Sequence, residues 1–109
     1  EYGLARMQNE LRAWLVGGGP LPTLVASEDS PVWTRAYSIE GEAAECERLT
    51  RTLALLNAKR MVVGHTPQQH GISSACDDKV WRIDTGMARF YGGPVEVLEL
   101  SGDQVRALR

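Results

Sequence analysis

The apolar residues of this chain change period once, and that change bounds what it can fold into. In two stretches before residue 58 they recur at spacings of three and four; beyond it they fall in short β-rich runs. Leu4, Met7, Leu11 and Trp14 make one helical stripe. Gly17-Gly18-Gly19-Pro20 ends it, because glycine holds helical order at a cost and proline cannot continue it. Cys46, Leu49, Leu53 and Leu56 make a second stripe on a helix predicted over roughly 41–58, with Glu42, Glu45, Arg48 and Arg51 turned to water. Between the two, Leu21 to Tyr37 has no clear period. Pro22, Ser27, Asp29, Ser30 and Pro31 predict a long connection there, of a kind that often carries function.

The second half reads as strands. Arg60-Met61-Val62-Val63-Gly64 predicts a short buried strand ending at a glycine. Ile72–Cys76 and Lys79–Asp84, separated by Asp77-Asp78, predict a hairpin with a two-residue turn. Gly92-Gly93-Pro94 breaks the chain again, and Val95–Leu100 and Gln104–Leu108 around Ser101-Gly102-Asp103 predict a terminal hairpin. The order helix, loop, helix, strands is that of an α/β fold, and 109 residues allow one domain.

Composition excludes several classes. A net charge of −2 leaves no concentrated basic face, so no nucleic-acid partner is expected. No apolar run approaches the roughly 18–20 residues of a membrane span, so no membrane partner is expected either. Two cysteines are too few for a disulfide scaffold. Cys46 and Cys76 both lie in apolar surroundings and are expected as reduced core residues of a cytoplasmic protein. The chain opens on Glu1 rather than Met, so a true start upstream is expected.

Three stretches can carry chemistry. In Met61–Pro67 a hydrophobic strand delivers His65 at its carboxyl end, just after a glycine, and Thr66-Pro67 stiffens the way out. Neutral imidazole there is either a metal ligand or an ordinary hydrogen-bonded histidine. In Val80–Met87, Asp84 ends a strand and either orients a histidine or caps the next turn. In Asp29–Arg35, Arg35 is either a phosphate clamp, through its planar fork, or a solvated arginine. His70 lies in a Gln-containing turn and is expected to be exposed, not a ligand.

The run Ala58 to Gln68, then Gly71-Ile72, Cys76 and Val80 to Met87, resembles the C-terminal half of a calcineurin-like metallophosphoesterase. The continuation Tyr91 to Leu100 is similar to the Shewanella-like serine/threonine protein phosphatases, and Asp29–Arg35 and Arg12-Ala13-Trp14-Leu15 extend the likeness over nearly the whole chain. The resemblance implies a dinuclear phosphoesterase with two divalent ions, Mn, Fe or Zn. It makes His65 a metal ligand and Arg35 the phosphate-binding arginine, with Asp84 and Thr66 supporting. The substrate implied is a phosphorylated protein side chain (serine, threonine or tyrosine) or a small phosphomonoester.

The departures are as informative. The family's Gly-Asp-x-His-Gly, Gly-Asp-x-x-Asp-Arg-Gly, Gly-Asn-His-Glu and His-Gly-Gly motifs are absent; the Gly-Asp pair here, Gly102-Asp103, runs on into Gln104-Val105. One histidine cannot hold such a metal, because sites need three or more protein ligands. The expectation is therefore a partial metallophosphoesterase sandwich, its second β-sheet and flanking helices, with the first half missing and residues 1–109 forming the C-terminal part of the domain. Such a chain carries no complete catalytic set and binds no metal tightly by itself. It should pair with the missing N-terminal half or self-associate. The alternative is a non-catalytic interaction domain or a remnant that has lost its metal site.

Overall fold

In the computed structural model the structure describes residues 3–39 and 43–109. They form two compact units, residues 1–34 and 35–109. No helix among the described residues is long and apolar enough to cross a membrane.

The first unit is built on α1 (Leu4–Leu15). Its end is set as the sequence predicts: Gly17 takes a left-handed φ of 77°, and the amides of Gly17 and Gly18 return to the carbonyls of Trp14 and Ala13 at 2.9 and 2.8 Å. That paired closure satisfies carbonyls the helix leaves open, and it needs a residue at ease with positive φ. None of α1's residues is buried. The long connection is more ordered than its composition suggests. It holds a single helical turn, α2 (Thr23–Ala26), and a turn on the fully buried Ser30, whose hydroxyl accepts the Val32 amide and whose carbonyl accepts those of Trp33 and Thr34. The Trp33 indole donates to the Val25 carbonyl at 3.1 Å, closing the loop on itself.

The second unit places α3 (Ala43–Leu55) beside a three-stranded sheet of β1 (Met61–Val63), β2 (Ser73–Ala75) and β3 (Val80–Arg82), in the order β1-β3-β2. β3 runs parallel to β1 and antiparallel to β2. Leu49, Leu53 and Val80 form the core, with Tyr37, Met61, Val63, Ala75 and Cys76 packed against it. The hairpin reverses where predicted: Asp77 and Asp78 both take positive φ, and the Lys79 amide meets the Cys76 carbonyl at 3.2 Å. Positive φ at both central residues suits the twist of the flanking strands. β4 (Val97–Ser101) and β5 (Gln104–Leu108) form the terminal hairpin, paired from Val97↔Leu108 to Ser101↔Gln104. Glu96, just before β4, is buried; it accepts the Ile72 amide at 2.7 Å and pairs with Arg109 at 3.0 Å.

Two expectations are corrected. Cys46 and Cys76 are not reduced core residues; they form a disulfide, with Cα atoms 5.1 Å apart. The packing of α3 on the β2–β3 hairpin brings the two together across 30 residues of sequence. Disulfides are rare in the reducing cytosol, so the step from buried thiols to a cytoplasmic protein loses its premise. Leu56 does not join the buried stripe either, because the helix stops one residue earlier. Asn57 takes a left-handed φ of 50° and the Ala58 amide turns back to the Leu53 carbonyl, which leaves Leu56 44% exposed. The predicted helix start at Gly41 and Glu42 lies outside the described residues.

Candidate functional site

The parallel pairing of β1 and β3 decides what meets at their carboxyl ends. Val63 stands opposite Arg82, and the Ile83 amide donates to the Val63 carbonyl at 3.0 Å, extending the ladder past both strands. His65 and Asp84 therefore leave the sheet at the same end. A Cβ built at Gly64 would lie in ordinary contact with that of Asp84, at 4.0 Å, so the two strand ends run side by side. His65 is exposed and takes a left-handed φ of 65°. Such a conformation is uncommon outside glycine, although histidine tolerates it better than most, and it concentrates at functional sites.

The loop after His65 is pinned by Gln68. Its amide N–H donates to the Asp84 carbonyl at 2.6 Å, and its side chain donates to the carbonyls of Thr66 (2.9 Å) and Ser38 (3.1 Å). Arg35 begins the segment that this contact reaches: its carbonyl accepts the Ser38 amide at 2.9 Å. Arg82 holds the same segment from the sheet, donating from Nε to the Tyr37 carbonyl and from Nη2 to that of Ile39. So His65, Thr66 and Asp84 share one strand end, and the backbone that carries the exposed Arg35 is fastened to the loop beside them.

Of the two readings of Asp84, the structure displays the cap: Oδ1 accepts the Gly86 amide at 3.0 Å, an Asx turn that redirects the chain out of β3. Beyond it, Thr85 is 2% exposed, and its hydroxyl, like that of the half-buried Thr66, is buried without a hydrogen-bond partner. The chain then loops out through Phe90 and Tyr91 and returns, the Gly93 amide donating to the Gly86 carbonyl at 2.9 Å. A Cβ at Gly93 would sit 1.8 Å from the Thr85 carbonyl oxygen, so no other residue fits that return. A cavity of about 280 Å³ opens here between Pro67, Thr85, Gly86 and Tyr91.

The residues present do not fit a metal on their own. Among the described residues no three His, Cys, Asp or Glu side chains gather closely enough to hold an ion, and a tight site needs at least that many. His70 is exposed and lines a second cavity together with Gln68 and Ser38. Three residues that the sequence reading gives no role at the site, Gln68, Arg82 and Gly93, organise it. Arg82 had one readable signal: it alternates with Trp81 in a short strand, so it had to share the face of Val80.

No family model matches the chain, and no solved structure does. Among curated proteins it is 39% identical over 109 residues to Shewanella-like protein phosphatase 2 of Arabidopsis thaliana, covering 94% of this chain and 28% of that protein. It is 37% identical over 90 residues to Shewanella-like protein phosphatase 1 of Plasmodium berghei, covering 76% of the chain and 25% of the relative. An uncharacterised protein of Schizosaccharomyces pombe is 40% identical over 73 residues, 67% of the chain and 22% of its own length. The chain thus spans about a quarter of the length of these relatives.

Proposed function

We propose that this chain is the C-terminal segment of a metal-dependent phosphoesterase that hydrolyses phosphomonoesters, with the side chain of a phosphorylated protein as the preferred substrate. The observation that carries the reading is the match along 94% of the chain to a relative named as a protein phosphatase. The geometry is compatible with it: a histidine at the joint carboxyl end of two parallel strands, where α/β folds gather functional groups. In this reading the second unit belongs to the second sheet and flanking helices of a metallophosphoesterase sandwich. His65 contributes one ligand to a dinuclear Mn, Fe or Zn centre whose other ligands lie outside these residues. Arg35 clasps substrate phosphate by its two-pronged fork, and Asp84 and Thr66 shape the loop that presents His65. The alternative is a non-catalytic interaction domain, which the exposed apolar stripe of α1 favours.

A chimera separates the two. Let this chain replace the corresponding segment of the Arabidopsis relative, with p-nitrophenyl phosphate as substrate. The phosphatase reading expects an active chimera whose His65→Ala variant, still folded by circular dichroism, loses activity by at least about 10²-fold. Arg35→Ala should lose roughly 1.5–3 kcal/mol of transition-state binding, and Arg35→Lys should recover only part, since it keeps the charge and loses the fork. A folded chimera that is inactive, or as active without His65 as with it, supports the interaction domain instead.

A further inference from the structure

Arg82 is a buried cation, only 6% exposed, that makes no ion pair among the described residues. Glu45, which lines a small cavity together with Arg82, pairs with Arg48 instead. The two carbonyls that Arg82 holds, at 2.8 and 3.1 Å, offer dipoles and occupy two of the five N–H groups of a guanidinium. Arginine does not escape by giving up its proton, and such residues are almost never buried unless paired.

Arg82 lines two cavities: the small one also holds Glu45, whose Oε2 is buried without a hydrogen-bond partner, and the larger is polar. The larger, of about 250 Å³, is lined by Arg82 together with Ser38, Gln68, His70, Ser73 and Ser74, and no carboxylate lines it. Ser73 stands directly opposite Arg82 across the β2–β3 ladder, so the two side chains share one face of the sheet within contact distance. The Ser38 and Ser73 hydroxyls are neutral donors beside one fixed positive charge, whereas the Gln68 amide is spent on the Thr66 and Ser38 carbonyls and the Ser74 hydroxyl on Asp78. We propose that this cavity is an oxyanion site, taking the phosphate or carboxylate group of a ligand onto Arg82. It is set apart from His65 and does not depend on the phosphatase reading.

The test leaves Arg82 in place, since it also fastens the Tyr37 and Ile39 carbonyls. The full ¹⁵N-labelled chain is titrated with inorganic phosphate, and separately with acetate, at constant ionic strength. The expected result is saturable shifts of the Gly71, Ser73 and Ser74 amides and of the Arg82 Nε–H. Ser73→Asp would place a carboxylate opposite the guanidinium and should weaken phosphate binding at least about tenfold. Ser73→Asn, of similar size and no charge, should bind as the wild type does. Saturation by phosphate alone assigns a phosphoryl ligand; saturation by both assigns a carboxylate as an equal occupant. Shifts that never saturate, or that persist unchanged in Ser73→Asp, overturn the site.

Discussion

The two units of this chain have similar proportions of apolar sequence and put them to different ends. In residues 1–34, α1 has a clean helical stripe, yet it buries none of its residues, and Leu4 and Trp14 stay 50% and 39% exposed. In residues 35–109, the stripe of α3 closes on the sheet: Leu49 is 0% and Leu53 5% exposed, against Val80 at 1%. Periodicity alone does not distinguish the two helices. What differs is whether a partner surface lies within the same unit. A helix of 12 residues is marginal in water without tertiary packing, and α1, with Met7 and Leu11 only half-buried, draws little of it.

The comparison can be broken most directly by truncating one leucine in each stripe. Leu49→Ala empties a fully buried position and should cost up to about 5 kcal/mol, since little around it can collapse into the space. Leu11→Ala, on the half-buried face of α1, should cost no more than about 1 kcal/mol, because the lost contact is partly offset by alanine's better helix propensity. Denaturant melts of the two variants check this. Equal losses would mean that α1 is packed as firmly as α3, and the contrast between the units would fall.

The disulfide sharpens the same contrast. It ties α3 to the hairpin across a separation of 30 residues, and the Lys79 ammonium adds a hydrogen bond to the Thr50 hydroxyl at 3.1 Å. Loop-closure entropy for a ring of that size corresponds to roughly 3–4 kcal/mol. Reduction, or the paired change Cys46→Ser and Cys76→Ser, should lower the second unit's stability by about that much. Helix content from α1 should not change. A reduced protein that melts where the oxidised one does would show that packing alone holds α3 on the sheet.

The sequence made local features legible and left long-range ones hidden. The end of α1 could be read because Gly17 and Gly18 close it within five residues. The two hairpins could be read because Asp77-Asp78 and Gly102-Asp103 set their turns locally. His65, Thr66 and Asp84 were placed at strand ends by the same local logic. The disulfide is hidden because Cys46 is, in sequence, one more apolar position on a helical stripe, and only the packing of that helix shows which residue faces it. In sequence Gly93 is a chain breaker, whereas its necessity comes from the Thr85 carbonyl eight residues earlier in the chain. Gln68 looked like part of a polar turn, and its importance lies in an acceptor at Ser38, 30 positions away. In each case the missing information was which group, a distant sulfur or a backbone carbonyl, would stand opposite.

The smallest expected effect belongs to the surface charges of the second unit. Lys59 donates to Asp103 at the β4–β5 turn, and both side chains are largely in water, 70% and 76% exposed. Lys59's hydrogen bond and its charge hold the Asp103 carboxyl below its ordinary value of 3.8. A carboxylate depressed in the folded state stabilises above its unfolded pKa, and that contribution is lost as pH falls through the lower folded value. The pair is exposed, however, so solvent and salt screen it, and side-chain entropy opposes holding two mobile groups together. The Arg60 guanidinium reaches the Asp103 carbonyl at 3.1 Å, and Asp103→Asn leaves that backbone contact in place. Thermal melts of wild type and Asp103→Asn should therefore coincide at pH 7 in moderate salt, with any gap at low salt closing as the pH drops below 3.8. A loss of several degrees at pH 7 that salt does not remove would mean that this contact anchors the terminal hairpin, and that the second unit is held by more than its core and its disulfide.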